Sequence, residues 1–230
     1  FGEASAVLAG NSLLALAFEI IADKNYSINS KLKNEITKSL AFCSGHTGIA
    51  GGQELDLKFE NKKKSLKQII VMQKKKTGKL FNFCLYSVGV LAKRNNKEKE
   101  ALEFYGKNLG LTFQIADDTL DYNSEINLFG KKVGNDFYEG KITLPIILLF
   151  QQANDSEKKQ LKNIFKQDIR STHDLSDILK LISKYKIISK CYKKAEHFIN
   201  LASNSLSIFK NSKEKKNLEN LTSFSLERSF

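Results

Sequence analysis

At 230 residues the chain is long enough to bury a sizeable core as one large domain. Its 41% hydrophobic and 27% charged residues are ordinary for a globular protein, while 37 Lys and Arg against 25 Asp and Glu leave a formal net charge of +12. That charge suits nucleic acid, an anionic surface or a phosphorylated substrate. Only Arg94, Arg170 and Arg228 are arginine, however, and no nucleic-acid module is evident, which weighs against the first.

Ala4 to Ala22 reads as a helix that is small and apolar nearly all round, and such a helix is expected at the centre of a helical assembly. No run of eighteen uncharged apolar residues suggests a membrane span, and Glu3 in place of a basic start argues against a signal peptide. A second helical pattern covers Leu32 to Ile49 and leads into GIAGGQELDL, residues 48–57. Gly48, Gly51 and Gly52 weaken a helix there, each by roughly 1 kcal/mol relative to Ala, which suggests that something large approaches the backbone. Gln53 and Asp56, spaced i,i+3, share a face of that segment.

Lys62 to Lys67 reads as a solvated start to the next helix, and KKKTGK, residues 74–79, lies within an apolar-periodic stretch running to Ala92. Gly78 there predicts a local kink, with the Thr77 hydroxyl turned to a backbone carbonyl. Arg94 to Lys99 reads as a polar linker and Glu100 to Tyr122 as a long helix. That helix carries TFQIADDTLDY, residues 112–122. At about 100° per residue, Gln114, Asp117, Asp118 and Asp121 share one arc, opposite Phe113, Ile115, Ala116, Leu120 and Tyr122. Crowded carboxylates on a half-buried helix repel one another, and a hard cation such as Mg²⁺, held by one or two carboxylates plus substrate phosphates, removes that penalty.

Residues 123–142 read as a long loop carrying Lys131, Lys132 and Lys141. A lysine loop beside a carboxylate–Mg²⁺ site has an evident ligand, a diphosphate that bridges metal and ammonium groups. Thr143 and Pro145 start another helix, and the remainder reads as amphipathic helices broken near Asn154, Ser171, Lys186 and Ser212. There is no strong β alternation and no internal repeat. The whole is therefore expected to be all-α. Cys43, Cys84 and Cys191 are odd in number and widely spaced, consistent with free thiols in a reducing, cytoplasmic setting. His46, His173 and His197 form no triad-like pattern.

GGQELDL, KKKTGKL, FQIADDTLD, FGKKVGND and EGKITLP occur in this order, and the set resembles the trans-isoprenyl diphosphate synthases, including farnesyl and geranylgeranyl diphosphate synthases. The opening FGEASAVLAGNSLLALAFEI is similar to the same group. The resemblance implies one isoprenoid synthase-like domain over residues 1–230, a bundle of antiparallel helices around a deep central cavity, usually homodimeric. It implies that Asp117 and Asp118, with Asp121, bind Mg²⁺. Lys76, Thr77, Lys131 and Lys141 would hold an allylic diphosphate with Gln114 beside it, and Gln53 and Asp56 would support them. Among these, Asp117, Asp118 and Lys76 are the expected catalytic residues. The implied reaction condenses isopentenyl diphosphate with the allylic diphosphate to a short-chain product. Alternatives are a longer-chain, octaprenyl-type synthase, a non-catalytic partner subunit, and a class I terpene cyclase, which would leave KTG and GKITLP unexplained. The resemblance further implies that a first aspartate-rich motif, an Arg pair and upstream basic residues belong before the point corresponding to Phe1, so that this chain by itself is expected to be nearly inert.

Overall fold

The computed structural model describes residues 2–59, 66–123 and 133–227, and those residues form helices, turns and loops without a strand. In chain order the helices are α1 (Glu3–Ala22), α2 (Ser30–Ser44), α3 (Ile49–Phe59) and α4 (Leu66–Gln73), then a π-helical turn (Lys74–Gly78) that runs into α5 (Lys79–Leu91). After these come α6 (Asn96–Leu120), α7 (Asn135–Tyr138), α8 (Leu144–Gln152), α9 (Asp155–Ile164), α10 (Thr172–Lys184), α11 (Ile187–Ser205) and α12 (Lys213–Glu227). The expected all-α bundle is what the chain forms.

The bundle is built on α6, which packs most extensively against α11 on one side and α5 on the other. Its start is fixed chemically. The Asn95 side chain accepts from the Glu98 N–H while the Glu98 carboxylate takes the Asn95 N–H, a reciprocal cap that satisfies two otherwise orphaned amides. This cap sits inside the expected linker, so the helix begins at Asn96 rather than Glu100. Tyr105 is fully buried, and its hydroxyl donates to the Leu218 carbonyl at 2.7 Å, tying α12 to α6. A larger core lies at the other end of α6, where Ile115 and Tyr122 meet Phe137, Leu149, Ile178, Ile187 and Cys191. Each aliphatic side chain buried there contributes roughly 1.5–3 kcal/mol.

The expected breaks near Asn154, Ser171, Lys186 and Ser212 coincide with helix boundaries, each with a local cause. Asn154 and Ser171 are N-caps with reciprocal boxes to Glu157 and Asp174. Lys186 takes a left-handed conformation at φ 50° between α10 and α11. The Ser212 hydroxyl accepts from the Lys215 N–H at the start of α12.

Three expectations are corrected. The first concerns α1, a helix that is not central among the described residues: it has no buried residue, packs against α2, and leaves Val7, Leu8 and Leu13 each about two-thirds exposed. An apolar circumference shows that a helix needs covering; it does not show that this chain's own core covers it. Second, by length and composition alone α1 is also long and apolar enough to cross a membrane, contrary to the sequence reading. Third, α6 does not have one dry and one wet face near its C-terminus: Asp118 and Asp121 are as buried as Ile115 and Ala116. The expected helix start at Lys62 and the lysines of FGKK, residues 129–132, lie outside the described residues.

Candidate active site

The site is built around the π turn. The approach expected at Gly52 is made by the protein's own backbone: a Cβ there would lie 2.3 Å from the Lys76 nitrogen, so only glycine lets α3 pack directly on the turn. On the opposite side, a Cβ at Gly110 of α6 would lie 2.9 Å from the Gly78 Cα. Pressed between these two backbones, the segment carries an extra residue per turn, and its side chains reach different neighbours. Lys76 Nζ sits 2.5 Å from Asp56 Oδ2 on α3. Thr77 Oγ1 donates to Gln114 Oε1 on α6 at 2.7 Å, not to a backbone carbonyl as its position in a kink suggests, because a half-buried amide acceptor faces it.

A cavity of ≈ 100 Å³ opens between this turn, α3, α6 and the segment around α7. Asp56, Lys76, Gln114, Asp117, Asp118, Asp136 and Lys141 line it, with an apolar wall that includes Phe59, Ile69, Met72 and Ile142. Behind it, a second cavity of ≈ 290 Å³ is lined by Leu111, Ile115, Leu144 and Phe198 among others. Ile69 and Gln73 border both.

The acidic residues are distributed by environment. Asp117 faces the cavity, half-buried. Asp118 is 2% exposed and is met by neutral donors: Gln73 Nε2 at 2.8 Å, Gln114 Nε2 at 2.9 Å and, more weakly, the Leu144 N–H at 3.5 Å. Burial pushes its carboxyl up to about 7, with the Gln114 hydrogen bond opposing the rise and the charges of Asp136 and Asp117 adding to it. Asp121 does not line the cavity. Its two oxygens take the N–H groups of Asn135 and Asp136, where α7 begins after Gly134 at φ 92°. Asp121, expected as a metal ligand, here holds α7 back against the end of α6.

That contact brings in Asp136, which the sequence reading passed over. Its carboxyl is raised by burial, against the lowering effect of Lys141, whose Nζ lies 3.5 Å away. For Lys141, burial disfavours the ammonium, but the hydrogen bond to Glu139 and the charges of Asp136, Glu139 and Asp56 outweigh it and hold the group above its usual range. Gln53 is exposed and lies outside the lining, although its helical partner Asp56 is within it. Lys131 falls outside the described residues. A signal for Asp136 was available: an acid five residues before Lys141 in a loop returning to an acidic helix is a natural counter-charge. Gln73 stands one residue ahead of the KKKTGK stretch and had no signal of its own.

Among the described residues, four carboxyl groups line this half-enclosed space against two ammonium groups, an excess of negative charge lessened but not removed by the raised Asp118. Both lysines are already paired. A free diphosphate would meet net repulsion, whereas a divalent cation shared between carboxylates and phosphate oxygens would relieve it. Among the described residues no three His, Cys, Asp or Glu side chains form a closed cage. The donor set therefore fits a hard cation held by one or two carboxylates, with its other positions left to water and phosphate.

A sequence model described as polyprenyl synthetase matches residues 1–182. The short chain isoprenyl diphosphate synthase of Methanocaldococcus jannaschii is 34% identical over 181 residues, covering 76% of this chain and 54% of that protein. Among solved structures, the geranylgeranyl pyrophosphate synthetase of Pyrococcus horikoshii Ot3 superposes with a TM-score of 0.85 at 32% identity, covering 99% of this chain and 68% of that one. The polyprenyl synthase of Caulobacter crescentus CB15, solved with calcium and isoprenyl diphosphate, gives 0.85 at 28% identity, with coverages of 99% and 67%. The chain spans 54% and 62% of the length of the first two curated relatives it matches.

Proposed function

Because the chain belongs to the polyprenyl synthetase family, we propose that the protein it forms part of condenses isopentenyl diphosphate with an allylic diphosphate to give a short-chain polyprenyl diphosphate, of the farnesyl or geranylgeranyl class. One observation carries this reading: Asp117, Asp136 and Asp56 share a small cavity with Lys76 and Lys141. Members of the family generally use a divalent metal, and Mg²⁺ is the ion this oxygen set suits.

Mg²⁺, when bound, supplies Lewis-acid stabilisation of the departing diphosphate. Asp117 and Asp136 are the carboxylates placed to hold it, with Asp118 behind them. The Lys76 and Lys141 ammonium groups exchange Asp56, Asp136 and Glu139 for phosphate oxygens and balance charge that grows as the allylic C–O bond breaks. Gln114 and Thr77, already bonded to each other, fix the edge against which the diphosphate rests. Phe59, Ile69, Met72 and Ile142 present apolar surface that keeps water from the cationic allylic carbon. The double bond of isopentenyl diphosphate then attacks that carbon, and the adduct loses a proton to the released diphosphate to complete the new alkene. No Ser, Cys or His nucleophile takes part.

A homodimer is part of the same proposal, on the family resemblance alone. The test is direct. Incubating the protein with labelled isopentenyl diphosphate, geranyl diphosphate and Mg²⁺ is expected to give extractable prenyl diphosphates of defined length. Absence of any labelled extractable product from the full-length protein contradicts the reading.

A further inference from the structure

Gln73 closes α4 at the wall between the two cavities, with only 5% of its surface exposed. It and Thr77 are four residues apart, as are Gln114 and Asp118 on α6. The two pairs meet in antiparallel register, Gln73 on Asp118 and Thr77 on Gln114. The bonds run in a fixed order. Gln73 Nε2 donates to Asp118 Oδ2, Gln114 Nε2 donates to Asp118 Oδ1, and Thr77 Oγ1 donates to Gln114 Oε1. Each amide orientation is thus dictated by its neighbour.

Among the described residues Asp118 Oδ2 accepts one other hydrogen bond, from the Leu144 N–H at 3.5 Å, which is long. Without Gln73 that oxygen is buried and poorly satisfied, so the carboxyl must rotate or swing towards another donor. Rotation removes the acceptor that orients Gln114, and Gln114 lines the cavity.

We propose that Gln73 is a positioning residue of the diphosphate site, holding the Asp118 carboxylate so that Asp118 fixes the amide of Gln114 and, through it, the Thr77 hydroxyl. The proposal deepens the prenyltransferase reading and rests on it. Gln73 acts through Asp118 and need not touch the substrate; its effect is on how tightly an allylic diphosphate is gripped.

The test is calorimetric titration of the full-length protein with geranyl diphosphate in Mg²⁺, for wild type, Gln73→Met, Gln114→Met, the double variant and Asp117→Ala. Gln73→Met keeps the side chain's length and apolar volume and removes the donor. It is expected to weaken binding about tenfold, the effect of one hydrogen bond to a charged acceptor. In the Gln114→Met background the same change is expected to cost little more, because the two act as one chain. Gln73→Asn, which keeps an amide but falls short of Asp118, is expected to behave like Gln73→Met and serves if the methionine variant does not fold. Wild-type affinity in the Gln73 variants with Asp117→Ala impaired, or losses at Gln73 and Gln114 that simply add, overturns the proposal alone. Wild-type affinity in Asp117→Ala as well overturns the site reading beneath it.

Discussion

Two sides of the same cavity solve the burial of charge in opposite ways. On the α6 side, Asp118 is enclosed by neutral donors from Gln73, Gln114 and Leu144, and among the described residues no ammonium hydrogen-bonds to it. On the α7 side, Lys141 bridges Asp136 and Glu139 as a shared counter-ion, and the groups are partly open to water. Neutral hydrogen bonds are directional and leave the carboxyl in a costly environment; ion pairs are tolerant of geometry and readily exchanged for other ions. The first side is built to hold position and the second to hold charge.

Substitutions that bear on this contrast differ in size. The largest effect is expected at the boundary between the two sides. Asp117→Ala removes the carboxylate that faces the cavity and is expected to lower kcat/KM by roughly a hundredfold or more, read in steady-state condensation assays. On the charge side, Lys141→Met leaves Asp136 and Glu139 without their counter-ion and is expected to raise KM for the allylic diphosphate by about tenfold. The loss should shrink as salt is added, because the interaction is ionic and partly exposed.

On the position side, Asp118→Asn separates function from stability. Asp118 sits near 7 in the folded chain, well above the ordinary carboxylate value, so the unfolded state loses this proton first as pH rises. The penalty on the folded state is absent below about pH 4, grows from there to about pH 7, and is constant above. Asp118→Asn is therefore expected to melt higher than wild type at pH 8, by a few degrees or more, with the gap closing as pH falls towards 4. Thermal unfolding across that range checks it; a gap that widens on acidification contradicts the assignment. The smallest effect is expected from Thr77→Val, which removes a single neutral donor to Gln114 and should change affinity less than tenfold.

The same division governs what the sequence disclosed. Gln114, Asp117, Asp118 and Lys141 could be picked out from charge and spacing, Lys76 and Asp56 only through the resemblance of their motifs to the family, and the structure brings all six to one cavity. Asp121 carried the same signal, yet its carboxylate is spent on the amides of Asn135 and Asp136, since whether an acid caps or faces a cavity depends on where the chain returns. Asp136 and Gln73 depended on that return and on a tertiary pairing, neither of which has a local pattern. Some capped helix ends were readable, as at Asn154 and Ser171, whereas the box at Asn95, amid charged residues, read as linker. The place of α1 was not, because an all-apolar helix specifies burial without specifying against what.

The most direct measurement of the central claim is titration of wild-type protein and its Lys76→Met and Asp117→Ala variants with inorganic pyrophosphate, with and without Mg²⁺. The account predicts that pyrophosphate binds wild type only when Mg²⁺ is present, and that each variant loses most of that affinity. Tight binding without Mg²⁺, or equal binding by all three proteins, contradicts it.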